Sequence, residues 1–233
     1  MNQLLTTLMA LLVASATGFA HAQAAPAAPA PAAAPAAATP ANPADLQAKI
    51  AMCLGCHNIP GYQASFPEVH KVPMIAGQSA AYIEAALAGY KTGERRHPTM
   101  RGIADSLSEQ DIKDVAAYYS KLGTNEPVAE KPSREPAAPV AALLQKGACV
   151  SCHGVNFSKP IAPNYPKIAG QHKDYLFVAL KSYKADAKGP VGRGNAVMGG
   201  VAKQFSNAEL KAMADYIGSL DGELETVPES RFK

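Results

Sequence analysis

The pattern Cys-x-x-Cys-His occurs twice, at Cys53-Leu54-Gly55-Cys56-His57 and Cys149-Val150-Ser151-Cys152-His153, and the two copies use all four cysteines of the chain. Two thiols at this spacing add across the vinyl groups of a porphyrin as thioethers, and the histidine that follows is then held beneath the iron as its proximal ligand. A pair of cysteines alone would also suit a thiol redox centre, or a zinc site whose second half is another Cys-x-x-Cys or paired histidines. Neither alternative accounts for a histidine directly after each pair. The expected cofactors are therefore two haem c groups, bound covalently through Cys53, Cys56, Cys149 and Cys152, with His57 and His153 on the irons.

At 233 residues there is room for one large domain or two small ones, and motifs 96 residues apart favour two. The hydrophobic content is 48%, but much of it is alanine outside the folded part, so each core is small and a buried haem would supply its apolar centre. Leu4 to Ala20 is a mostly apolar run ending in Ala20-His21-Ala22, a small-x-small site, which predicts a signal peptide over 1–22 and export to the periplasm. The first residues, Met1-Asn2-Gln3, carry no Lys or Arg, so retention as a membrane anchor is the alternative reading. The run reaches only the lower end of a ~17–25 residue span. Residues 23–44 are almost entirely Ala and Pro and read as an extended spacer.

Beyond the spacer the chain repeats itself. Asp45 is a candidate helix N-cap, with Leu46, Ile50 and Cys53 on one face leading into the first motif; Leu143, Leu144 and Ala148 lead into the second. A shared phrase follows, Pro73-Met74-Ile75-Ala76-Gly77-Gln78 and Pro166-Lys167-Ile168-Ala169-Gly170-Gln171. Tyr82, Leu87 and Tyr90 then recur as Tyr175, Leu180 and Tyr183, at a constant offset of 93. Capping boxes Ser108-x-x-Asp111 and Ser206-x-x-Glu209 announce a last helix in each half. Its apolar stripe is Ile112, Val115, Ala116 and Tyr119 in one, and Leu210, Met213, Ala214 and Ile217 in the other, at offset 98. The expectation is two all-helical domains from an internal duplication, 45–124 and 140–233 with a short tail, joined by a linker over 125–139 that holds four prolines and five charges.

An iron with histidine on one face is either left open for substrate or closed by a second protein ligand for electron transfer. Aligning the capping boxes at offset 98 superposes Met100 on Met198, 43 and 45 residues after their histidines. The competitors do not recur: His97 falls on Asn195, Met74 on Lys167, His70 and His172 have no histidine counterpart, and Met213 sits in a core stripe. Met100 and Met198 are the candidate axial ligands, and a thioether there raises the reduction potential. The opposing class, a dihaem peroxidase, needs an openable iron with acid-base groups beside it, and no paired candidate exists. Pro73 and Pro166 either accept the second ring N–H of the proximal histidines or merely shape loops.

These residues, Cys-Leu-Gly-Cys-His, Cys-Val-Ser-Cys-His, the two Pro-x-Ile-Ala-Gly-Gln phrases, Met100 and Met198, resemble the bacterial dihaem cytochrome c4 family from Asp45 to about Leu224. The resemblance implies an all-α fold of two tandem cytochrome-c-like domains with His/Met haems close enough to exchange electrons. It also implies a periplasmic, membrane-associated or free carrier, not an enzyme, delivering electrons from an upstream donor towards a terminal oxidase. The alternative is a cytochrome subunit that accepts electrons from a partner dehydrogenase. The basic excess lies between Val140 and Gly200, eight Lys and Arg against two Asp and Glu, and reads first as a solvated face that also offsets haem propionates, with steering of the second domain towards an acidic partner surface as the sharper alternative. Nucleic acid is not an expected partner, having no motif behind it and conflicting with export.

Overall fold

A computed structural model describes residues 43–123, 128–185 and 189–229. The expected signal peptide and nearly all of the Ala/Pro spacer lie outside these. The first half runs α1 (Pro43–His57), α2 (Ala80–Thr92), α3 (Pro98–Asp105) and α4 (Glu109–Lys121). The second runs α5 (Ala138–Lys146), α6 (Cys149–His153), α7 (Lys173–Ser182), α8 (Ala196–Ala202) and α9 (Asn207–Ile217). Among the described residues the named strands form two short ladders: β1 (Gln63–Ala64) with β2 (His70–Lys71) inside the first half, and β3 (Arg95–Arg96) with β4 (Gly192–Arg193) between the halves. Among the described residues no helix is long and apolar enough to cross a membrane.

In α1, Ile50 and Leu54 are fully buried, and Leu46 and Cys53 pack beside them, so the apolar face drives the helix that ends on His57. Asp45 is not its cap: the helix begins at Pro43, and Asp45 lies in the first turn, where its carboxylate complements the helix dipole. The second motif is approached differently. There the helix breaks between α5 and α6, across Gly147 and Ala148, and Ala148 takes a left-handed conformation at φ 49°. The Phe205 ring presses on this break, since a Cβ on Gly147 would lie 3.3 Å from it.

Both predicted capping boxes form. Ser108 Oγ accepts the Asp111 N–H at 3.1 Å while Asp111 accepts the Ser108 N–H at 2.9 Å; the Ser206–Glu209 distances are 3.2 and 2.7 Å. Every residue of the two predicted stripes is buried, and α4 and α9 each anchor one core, against α1 and α2 in the first half and against α5 and α7 in the second.

The chain leaving each last helix crosses to the other half. After α4, the connector settles on the second half: Asn156 Nδ2 donates to Ala129 O at 2.7 Å, Tyr216 Oη to Arg134 O at 2.9 Å, and the Asp221 N–H to Ser133 Oγ at 2.9 Å. After α9, the tail settles on the first half: Asn58 Nδ2 donates to Val227 O at 2.6 Å and the Glu225 N–H to Ala76 O at 3.2 Å. Asn58 and Asn156, like Ala129 and Val227, are 98 apart, so the exchange is reciprocal. The returning tail passes so near Gly77 that a Cβ there would sit 2.1 Å from Glu223 O, at φ +81°.

Gly93 shares that φ of 81° but faces open space. Gly93→Ala should therefore cost only the left-handed strain, ~1–2 kcal/mol, whereas Gly77→Ala should cost more because the tail must lift away. Urea unfolding of the two haem-loaded variants compares the losses, and equal losses would contradict the close approach.

Candidate haem-binding sites

His57 closes α1 and His153 closes α6. His57 Nδ1 lies 2.7 Å from Pro73 O and His153 Nδ1 lies 3.0 Å from Pro166 O. A carbonyl can only accept, so Nδ1 carries the proton and Nε2 keeps its lone pair for a metal. Burial lowers the pKa of both imidazoles, opposed by the proline carbonyls, which favours the neutral ring a metal requires. Burial, with Cys56 adding to it, pushes the Cys53 thiol up to about 11, and burial raises Cys149 as well. These thiols lack the depressed pKa of a redox-active pair. Cys53 packs on the first core and Cys149 on the second, so the four do not converge on one zinc.

The two methionines occupy the same place in equivalent short helices, third after the cap. The cap of α3 is His97, whose Nδ1 accepts the Met100 N–H at 3.4 Å; the cap of α8 is Asn195, whose Oδ1 accepts the Met198 N–H at 3.0 Å. Histidine and asparagine thus do one job, and the cap occupies the Nδ1 of the nearest competing histidine. Met100 packs against the first core, as Cys53 does, whereas Met198 is half-buried and not part of the second. His70 is buried with Nδ1 2.8 Å from Glu68 O, and His172 precedes α7.

The shared phrase has a use for its proline, alanine, glycine and glutamine. Its proline supplies the carbonyl to the proximal histidine. Ala76 and Ala169 are buried at 2% and 0% exposure, where a larger side chain has no room. Gly77 and Gly170 take positive φ and donate their N–H to Tyr119 O and Ile217 O, at 3.0 and 3.1 Å, tying the phrase to the end of the last helix. The glutamines, which sequence reasoning left without a role, cross to the other half. Gln78 bonds both backbone groups of Lys167 (N–H 3.1 Å, C=O 2.9 Å), and Gln171 bonds both of Met74 (3.0 and 2.9 Å).

A second pair missed from sequence is Arg95 and Arg193, 98 apart and facing each other in the β3–β4 ladder. Arg95 stacks on Tyr82 and Tyr90, and Arg193 on Tyr175 and Tyr183, at 4.9 to 5.6 Å from the ring centres. Among the described residues neither forms an ion pair, and the buried Arg95 Nε has no acceptor. Haem demands two thiols, a neutral imidazole with free Nε2, an apolar cradle, and cations or donors for its two propionates. The residues present meet each requirement, and the orphaned guanidinium nitrogen calls for an anion.

Two covalent attachment motifs, each with an oriented histidine in an all-α core, define a dihaem c-type cytochrome. The family model of cytochrome c matches residues 137–221. Cytochrome c4 of Azotobacter vinelandii is 30% identical over 241 residues, covering 94% of this chain and 100% of that protein. A thiosulfate dehydrogenase electron acceptor of Stutzerimonas stutzeri (strain A1501) is 29% identical over 193 residues, covering 80% and 84%. The solved cytochrome c4 structure of Acidithiobacillus ferrooxidans superposes with a TM-score of 0.56 at 28% identity, covering 73% of this chain and 99% of that one. The chain belongs to the cytochrome c4 family, whose members are electron carriers and not enzymes.

If His97 serves as a cap, His97→Asn should leave stability and the visible spectrum unchanged, while His97→Ala should cost ~0.5–2 kcal/mol. Denaturant unfolding with absorbance spectra checks both, and a changed iron spectrum in His97→Asn would reinstate it as a ligand.

Proposed function

We propose that His57 with Met100, and His153 with Met198, are the axial pairs of two closed irons, in domains bounded at 45–124 and 140–233, and that the protein carries electrons in the periplasm towards a terminal oxidase. The observation that supports this is the duplication of the whole ligand apparatus: histidine to proline carbonyl on one side, and methionine at the third position of a capped helix on the other. Each haem, when bound, supplies a one-electron iron couple. The cysteines anchor it, the buried histidines stay neutral and oriented, and the methionine thioethers fill the last position and raise the potential. An N-terminal signal peptide over 1–22 accounts for export.

A second reading, acceptance of electrons from a partner dehydrogenase, is favoured by the relative named for that role with thiosulfate dehydrogenase. One carrier serves both ends, so the two readings differ in donor and not in chemistry. The docking face needs revision. Lys159, Lys167 and Lys181 pair with Glu130, Glu223 and Glu68, Lys146 and Lys184 donate to backbone carbonyls, and Arg193 is stacked on tyrosines. The basic excess is therefore largely engaged within the fold. Val150, inside the second motif, and Val197, beside Met198, are 43% and 61% exposed, with Val155 and Ile161 nearby in sequence at 60% and 66%. We place the contact with redox partners at these exposed apolar residues of the second half.

Met100→Ala should open only the first-half iron, lowering its potential and admitting carbon monoxide, and Met198→Ala should do the same in the second. Redox titration with carbon monoxide difference spectra checks this, and two unchanged irons in Met100→Ala would remove it as a ligand. Stopped-flow transfer from thiosulfate dehydrogenase and to a terminal oxidase, across a salt series, tests the partners. Exchange should depend weakly on salt and slow severalfold in Ile161→Glu; a steep salt dependence would restore the basic face as the docking site.

A further inference from the structure

The peptide group joining Pro73 to Met74 is hydrogen-bonded at both ends. Its carbonyl takes the Nδ1–H of His57 at 2.7 Å, and its N–H donates to Oε1 of Gln171, from the other half, at 3.0 Å. The peptide joining Pro166 to Lys167 repeats this with His153 at 3.0 Å and Gln78 at 3.1 Å. Both glutamines are only 4% exposed. Each is fixed further: Gln171 Nε2 donates to Met74 O and Gln78 Nε2 to Lys167 O, both at 2.9 Å, while each Oε1 also accepts the N–H of its own next residue, His172 or Ser79, at 3.0 Å.

We propose that Gln171 and Gln78 are positioning residues that set the electron-donating strength of the proximal histidine in the opposite half, Gln171 acting on His57 and Gln78 on His153. The proposal rests on the reading of these histidines as iron ligands. An amide whose N–H donates holds more negative charge on its oxygen, because hydrogen bonds along a chain polarise one another. The proline oxygen then draws harder on the Nδ1–H, the ring becomes more basic at Nε2, and a more basic ligand favours ferric over ferrous iron. Each glutamine thereby lowers the potential of the haem across the boundary.

The sign separates this role from mere packing. A glutamine that only sealed the boundary would, when lost, admit water, and greater solvent exposure stabilises the more charged ferric state and lowers the potential. Loss of polarisation raises it.

Spectroelectrochemical titration of the full haem-loaded protein reads the two midpoints in Gln171→Leu and Gln78→Leu. Gln171→Leu should shift upward the midpoint of the first-half haem alone, and Gln78→Leu that of the second alone. Repeating Gln171→Leu in a Met100→Ala background, where the first-half haem is marked by its changed spectrum, assigns the shift. Gln171→Glu keeps the acceptor oxygen and should show no rise. If a leucine variant fails to bind both haems, Gln171→Asn, whose shorter side chain withdraws the oxygen, reads the same shift. A downward shift, a shift on the haem of the same half, or no shift with both haems bound overturns the proposal. The ligand reading is checked separately in the unmutated protein, by the ring-nitrogen resonances of ¹⁵N-histidine, so its failure appears before any glutamine is changed.

Discussion

Everything in each half is arranged around one hydrogen bond, from the Nδ1 of the motif histidine to a proline carbonyl. The bond fixes the tautomer, and the tautomer decides whether Nε2 can face a metal. Holding the carbonyl still requires the following residues: a buried alanine that admits no larger side chain, a glycine whose N–H ties to the last turn of α4 or α9, and a glutamine that reaches out of the half. The motif helix, the phrase and the capped last helix therefore brace one another, and the apolar stripes of α4 and α9 supply the burial that keeps the bracing in place.

Neither half is complete without the other. The buried amide of Asn58 finds its acceptor on Val227, and that of Asn156 on Ala129, each from the chain leaving the opposite half's last helix. Stranding such an amide costs ~1–3 kcal/mol, so separating the halves would strand two of them together with both crossing glutamines. The contact follows isologous logic, in which a residue and its repeat exchange partners. Duplication of one domain explains this pattern better than chance docking of two surfaces, because the two asparagines, their acceptors and the two crossing glutamines recur at an offset of 93 or 98.

The residues proposed to hold haem were the readable part. Motif, cap and stripe are local patterns, and a repeat inside one chain lets each half vouch for the other, which is how Met100 and Met198 stood out from five competitors. What the sequence hid is non-local. The crossing of Gln78 and Gln171, the facing of Arg95 and Arg193, and the exchange of exits join residues 27 to 169 apart, and no periodicity records such pairings. Asp45 misled because a residue suited to capping is equally suited to the first turn. The basic excess alone does not mark a docking face, because charge counted along a chain does not show that Lys167 and Lys181 are already paired with Glu223 and Glu68.

A duplicated cradle need not give two equal haems, and the differences lie where they matter. The residue whose N–H meets the crossing glutamine is Met74 in one half and Lys167 in the other. Lys167 brings to this boundary an ammonium that Met74 does not. Here that ammonium is paired with Glu223 and donates to Gly77 O at 3.0 Å. Glu223 belongs to the tail whose next residues complete the first half, through Glu225 and Val227. One segment thus finishes the packing of the first half and pairs with the residue whose N–H meets the crossing Gln78, so the docking of the halves and the fixing of the peptide that accepts from His153 rest on the same few residues.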